Sequence, residues 1–278
     1  MNEQNEISKK HSLLFWIMLV AVVMSAAGYV RLYILIAKGV ITLPFESSLA
    51  SVTQTTAINQ KVFGYSTQGK AIEGYEIGDG ENAMLLFSSI HGDEVGTTDL
   101  LNELIKEINN NPSMVSKTKK LVIIPIANPD GYYDRTDKLN ANGVNLNLNF
   151  ATSDWKQYGP EGTYAGAKAF SDIESQVLKD VVEEHKPEMM ISYHASGALV
   201  TPENSDASIA LGKWYAEKTG YGYYDDKNLD WDYPGTATKW FVETTSKPAI
   251  TVELTTYRGS DWEINKKALL ELISSDNN

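Results

Sequence analysis

Four short runs in this chain are apolar at consecutive positions, and this constrains the fold more than any other feature of the sequence. They are 83–90 (AMLLFSSI), 121–127 (LVIIPIA), 189–193 (MMISY) and 249–254 (AITVEL). A strand with one wet face alternates polar and apolar residues, whereas a strand that is apolar throughout must be covered on both faces. Helical periodicity fills the intervals. Leu101, Leu104, Ile105 and Ile108 recur at helical spacing, which predicts a helix over 95–109. Further helices are predicted over 171–185, 205–219, 236–245 and 260–274, the first opened by a Ser171/Glu174 capping box. Residues 60–66 and 70–77 read as a pair of strands at the start. Buried strands alternating with helices imply an α/β fold whose mostly parallel sheet is covered on both faces.

The N-terminal part has a different character. Residues 1–12 are polar and carry Lys9 and Lys10, and 13–30 (LLFWIMLVAVVMSAAGYV) hold no charge over eighteen residues. A second apolar patch, 32–37, follows Arg31. That length reaches the lower limit for a membrane helix. We therefore expect a cytoplasmic leader over 1–12, a transmembrane anchor over 13–37, a Ser/Thr-rich linker over 38–57 and a catalytic domain over 58–278, outside the cell. A signal peptide cleaved near Ser25-Ala26-Ala27 and a buried helix are the alternatives. The net charge of −12 argues against a protein whose main task is to grip nucleic acid. The absence of cysteine removes disulfides, thiolate zinc sites and cysteine nucleophiles.

Three of the apolar strands end in polar residues that a buried strand has no packing use for. The first runs into His91-Gly92-Asp93-Glu94, the third into His194, and the fourth carries Glu253 near its end. Open α/β sheets bind ligands at the carboxyl ends of their strands, so these side chains can converge. Two imidazoles and a carboxylate form a common catalytic zinc set with the fourth position left to water. Zinc lowers the pKa of that water toward about 7 and polarises a carbonyl. A carboxylate off the metal, here Glu253, can take the water's proton and pass it to a leaving amine. Gly92 is expected to permit a sharp turn between the two ligands. A lone H-x-x-E is weak evidence; it is the coincidence of separate strand ends that gives the pattern weight. His185, late in a helix, reads as a charge complement to the helix C-terminus, and His11 as inert.

The residues His91-Gly92-Asp93-Glu94, Asn128-Pro129-Asp130-Gly131, 142–150 (NGVNLNLNF), Tyr193-His194 and Thr251-Val252-Glu253-Leu254 occur in an order that resembles the zinc carboxypeptidase family. The nearest branch is that of bacterial enzymes acting on murein peptides and γ-glutamyl-diamino acid bonds, and the likeness covers about residues 60–270. It implies a three-layer α/β/α sandwich around a mixed, largely parallel eight-stranded sheet. It also implies one zinc ion held by His91, Glu94 and His194, with Glu253 as general base and acid. The block 164–175 is similar to the family's Gly-rich segment leading into a helix. The segment Tyr233-Pro234-Gly235-Thr236 resembles the one that carries a substrate-capping tyrosine.

Departures from the family pattern sharpen the expectation. Asn145 stands where an aspartate usually orients the first histidine, and it keeps the acceptor without the charge. Leu148 stands where an arginine, beside Asn147, usually clamps a terminal carboxylate, so that fork is lost. A second family arginine is matched by Lys138, with Arg135 nearby, and either can stabilise an oxyanion. Arg258 is a candidate replacement cation for the substrate's anion. The sequence therefore predicts a membrane-anchored zinc peptidase or amidase. Its catalytic residues are Glu253, Lys138 and Arg135, and its substrate-binding residues are Asn147, Asn145 and Tyr233. The expected substrates are cell-wall peptides, bound by a monomer. A zinc-retaining binding domain without turnover and a zinc deacylase of N-acyl amino acids are the competing readings.

Overall fold

The computed structural model describes residues 56–134, 138–225 and 233–276. The leader, the predicted anchor, most of the linker, His11 and Arg135 lie outside them. Eight strands form one sheet in the order β1-β2-β4-β3-β5-β8-β6-β7. They are β1 Ile58–Tyr65, β2 Ala71–Ile77, β3 Asn82–Ser88, β4 Lys119–Ile124, β5 Met189–Ala195, β6 Leu199–Pro202, β7 Gly222–Tyr223 and β8 Ala249–Leu254. The four strands apolar throughout, β4-β3-β5-β8, run parallel at its centre. Antiparallel pairings of β1 with β2, β2 with β4, and β6 with β8 extend it on both sides.

The described residues form six α-helices around it: α1 Val95–Asn110, α2 Pro129–Asp134, α3 Ile173–His185, α4 Asp206–Thr219, α5 Ala237–Thr245 and α6 Trp262–Ser274. The period of two along each strand sorts the core into two layers. Met84, Leu86, Leu121, Ile123, Ile191, Ile250 and Val252 pack under α1, α4 and α6. Leu85, Phe87, Val122, Ile124, Met190 and Ala249 pack under α3 and α5. Each such side chain, fully buried, contributes about 1.5–3 kcal/mol relative to exposure. The same parity places His194 on the α3/α5 side with Met190, and Glu253 on it with Ala249.

Two expectations change. The Ser171/Glu174 capping box does not form: α3 begins at Ile173 with Asp172 as its N-cap and no side-chain cap. Both partners are engaged elsewhere. Ser171 Oγ donates to Asp172 Oδ2 and receives Asn149 Nδ2, while Glu174 accepts from Thr67 N and Asn140 Nδ2. Strands β6 and β7 are new, being too short to show a period. Among the described residues no helix is long and apolar enough to cross a membrane.

Candidate active site

His91 and Glu94 lie on the loop between β3 and α1. Glu94 holds the N-cap position of α1, yet its carboxylate makes no cap bond; it turns to the histidines instead. Its Oε1 is 2.7 Å from His91 Nδ1, and its Oε2 is 3.1 Å from His194 Nδ1, which comes from β5. The two Nδ1 atoms are 3.3 Å apart. All three side chains are buried. The proton positions follow from the neighbours. Asn145 Oδ1 accepts the backbone N–H of Asn147 at 3.0 Å, which fixes which amide atom is the oxygen. His91 Nε2, 3.0 Å from the same oxygen, must therefore be the N–H that donates to it. That leaves Nδ1 of neutral His91 as a lone pair aimed at His194 and Glu94.

This donor set fits a zinc ion. The paired nitrogens cannot both carry hydrogens across 3.3 Å, and Glu94 Oε2 is buried without a hydrogen bond. Two imidazole nitrogens and one carboxylate facing a common point satisfy a tetrahedral cation with one position to spare. Burial opposes the ionisation of Glu94, but the imidazoles of His91 and His194 beside it outweigh that and hold its carboxyl down to about 2. Glu253 differs. It stands beside His194 in the β5–β8 register, and burial pushes its pKa up, against the pull of His194.

Gly92 lies in the expected turn, where Glu94 N–H donates to His91 O at 3.3 Å, and it serves a second purpose as well. Its φ is not in the left-handed region, but a Cβ there would come within 2.2 Å of the Gly131 carbonyl carbon. The ligand loop thus presses directly on α2. Asn128 supports the contact: its Nδ2 donates to the carbonyls of Ile90 and Leu139, and its Oδ1 accepts Gly131 N–H. Asn149 does the same for the 164–175 block, donating to Ala165 O at 2.6 Å and accepting from Ser175 Oγ at 2.6 Å. The asparagine-rich motifs are scaffolding for the loops around the site.

The metal ligands open into a cavity of about 850 Å³ whose lining includes Glu253, Lys138, Asn145, Asn147, Leu148 and Tyr233. Lys138 is exposed, and its charge acts on His194 and Glu253. Asn145 sits behind His91 and is buried; its oxygen is spent on His91 and Asn147. Asn147 Oδ1 accepts Ala237 N–H at the start of α5, and Tyr233 is exposed at the rim. Arg258 is exposed and does not line the cavity; its neighbour Tyr257 does. The sequence reading missed Tyr257, which stands among Asp93, Glu94 and Glu253; burial and those charges raise its pKa. Its place in the loop leaving a core strand was the available signal. His185 is not a charge complement. Its side chain is 3% exposed and burial lowers its pKa, so it is neutral near pH 7.

The zinc carboxypeptidase profile matches residues 49–260. Murein peptide amidase A of Vibrio campbellii is 28% identical over 183 residues, covering 61% of this chain and 68% of that protein. Among solved structures, bovine thrombin-activatable fibrinolysis inhibitor in complex with tick carboxypeptidase inhibitor superimposes with a TM-score of 0.67 at 16% identity, covering 78% of this chain and 88% of its own. Murein-tripeptide amidase from Escherichia coli O157 gives 0.62 at 20% identity, covering 81% and 95%. At such identities the structures speak for the α/β fold and its mixed sheet.

Proposed function

This chain belongs to the zinc carboxypeptidase family and is a zinc-dependent peptidase or amidase; from that premise we propose that it hydrolyses amide bonds in cell-wall peptides, anchored in the cell membrane with its catalytic domain outside. One observation carries the hydrolytic reading: His91, Glu94 and His194 bring their ligand atoms within 4.8 Å of one another, with Glu253 in register beside His194. The apolar segment 13–37 supports the anchor, and likeness to proteins named murein peptide amidase supports the substrate.

The chemistry that zinc supplies there when bound is Lewis acidity toward a water and toward the scissile carbonyl. The chain's own residues do the rest. Asn145 locks the tautomer and angle of His91. Glu253, made more basic by burial, takes a proton from the attacking water and returns it to the leaving nitrogen. Lys138 places positive charge at the cavity wall for the negative charge that develops on the carbonyl oxygen. Leu148 presents an apolar wall where the family has a guanidinium, so this end of the site favours substrates without a free terminal carboxylate there.

The test is incubation of the full-length zinc-loaded chain, purified in detergent, with muropeptides, ordinary peptides and N-acyl amino acids. Product masses identify the bond cut. Cleavage of muropeptides, lost with chelator and with Glu253→Gln, is expected. Retained zinc with no turnover of any of the three classes would assign the chain to binding instead. Recovery of the protein from the soluble fraction of its own cells would remove the anchor.

A further inference from the structure

Resting on the same amide-hydrolase reading, we propose that Asp261 is a positioning residue: it fixes the loop that carries Tyr257, whose phenol donates a hydrogen bond to the substrate. Tyr257 lines the cavity together with Ser196, and Ser196 donates to its phenol oxygen. That bond occupies an acceptor position and leaves the phenol's own hydrogen for a ligand in the cavity. Tyr257 is 46% exposed, so it meets a substrate at the rim and not at the reacting bond.

Where Tyr257 stands is decided by its loop. β8 ends at Leu254 and α6 starts at Trp262. Between them, Tyr257 O accepts Gly96 N–H at 2.7 Å, in the first turn of α1 and two residues after the ligand Glu94. Gly259 lies against the same turn, since a Cβ on Gly96 would come within 2.3 Å of Gly259 O. Asp261 closes the loop. It holds the N-cap position of α6, yet its carboxylate makes no cap bond. Its Oδ2 instead accepts Thr255 N–H at 2.6 Å and the hydroxyl of Tyr221. One carboxylate oxygen thus ties the start of the loop to its end.

A buried chain holds that carboxylate, and its hydrogens can be assigned. Asn265 Nδ2 donates to Asp261 O, which identifies the nitrogen of the amide, and also to Tyr221 OH. Asn265 Oδ1 therefore accepts from Tyr215 OH. Tyr215, its hydrogen spent, accepts from Tyr193 OH. Every donor points the same way, from Tyr193, the neighbour of the ligand His194, to Asp261. Tyr193, Tyr215 and Asn265 are fully buried, where a polar group left without its partner is costly. Neither Asp261 nor Tyr221 lines the cavity, so what they do to a substrate passes through the loop.

The test is a double-mutant cycle in the full-length zinc-loaded protein. Its ligand is whichever of muropeptides, ordinary peptides and N-acyl amino acids binds most tightly. Tyr257→Phe removes the hydroxyl alone and is expected to raise KM about three- to tenfold, the worth of one hydrogen bond, with kcat near that of the parent. Asp261→Ala should do the same with zinc still at one equivalent. Asp261→Asn keeps an acceptor for Thr255 N–H and Tyr221 and should stay near the parent. Asp261→Ala added to Tyr257→Phe should raise KM no further. If Asp261→Ala does not fold, Tyr221→Phe, which removes one of the two bonds to Oδ2, takes its place in the cycle. Calorimetric binding to zinc-loaded Glu253→Gln carrying the same substitutions reads these losses without turnover. If the losses appear there although the parent cleaves nothing, the hydrolase reading fails and the role of Asp261 stands. If Tyr257→Phe leaves KM and affinity unchanged, if the two effects multiply, or if none of the three ligand classes binds, the role given to Asp261 is wrong.

Discussion

Among the described residues, two places gather histidine and carboxylate atoms within 4.8 Å: His91, Glu94 and His194 at the mouth of the parallel strands, and Glu76, Glu184 and His185 beside the antiparallel edge. Their ligand types are the same, but their surroundings are not. In the second cluster Lys61 Nζ lies 2.9 Å from Glu76 Oε1 and 2.8 Å from Glu184 Oε1, and Lys120 Nζ lies 3.4 Å from Glu76 Oε2. The protein supplies its own cation there. Among the described residues, the ion pairs of Glu94 are with the two histidines alone. Burial divides the clusters as well, since the Glu184 side chain is 58% exposed whereas Glu94 is 5% exposed. Ligand residues in proximity do not by themselves make a metal centre; a buried carboxylate without an internal counter-cation is costly, and a bound cation relieves that cost.

The largest effect should come from breaking the first cluster. His194→Ala is expected to lose stoichiometric zinc by elemental analysis and activity with it, whereas His185→Ala should leave the zinc content unchanged. Next in size, Glu253→Gln should lower kcat by about 10²–10⁴-fold while zinc remains at one equivalent; Glu184→Gln should leave both kcat and zinc content unchanged. Asn145→Ala should cost about 10–100-fold in zinc affinity or activity, with Asn145→Asp restoring it. A competition titration with a chelating dye checks this directly.

Smaller effects sharpen the contrast at the second cluster. Lys61→Met removes the central ammonium and should let the cluster take up an added divalent ion that the parent refuses, seen as a second binding event in calorimetry. Its stability cost should be about 1 kcal/mol or less, as for exposed ion pairs. The smallest effect is a pH dependence. Burial holds His185 below its ordinary 6.5, so its contribution to stability is complete above that pH. It is lost as pH falls from there through the folded-state value. Melting temperature should therefore drop between pH 7.5 and 5.5, and His185→Leu should flatten that drop. Glu76 and Glu184, whose pKa values are lowered, lose their contributions further down, below their ordinary 4.5.

Much of this was legible in the chain, for identifiable reasons. The central strands showed themselves because burial on both faces demands unbroken apolar runs. The metal ligands showed themselves because a histidine or glutamate at the end of such a run has no packing role. Asn145 was readable as a support for His91, and His91 Nε2 does donate to it. What stayed hidden was whatever depends on neighbours distant in sequence. Ser171 and Glu174 spelled a helix cap, but Asn149, Thr67 and Asn140 claimed them first. Gly92 was readable as a turn residue, and it is one, but nothing local showed that the backbone of Gly131 packs against it. Glu203 and Thr238, 35 positions apart, carry no joint signal, and β6 is too short to announce that Glu203 lines the cavity.

The sequence by itself determined the α/β architecture, the order of the core strands along the chain and the identity of the residues that can bind zinc. These follow from hydrophobic periodicity and from residue chemistry, both of which are local. Only the tertiary structure decided which of two similar His/Glu clusters is left without an internal cation, and which side chains line the cavity beside it. Charge compensation and strand register are sums over residues brought together by folding, and no stretch of the chain contains them.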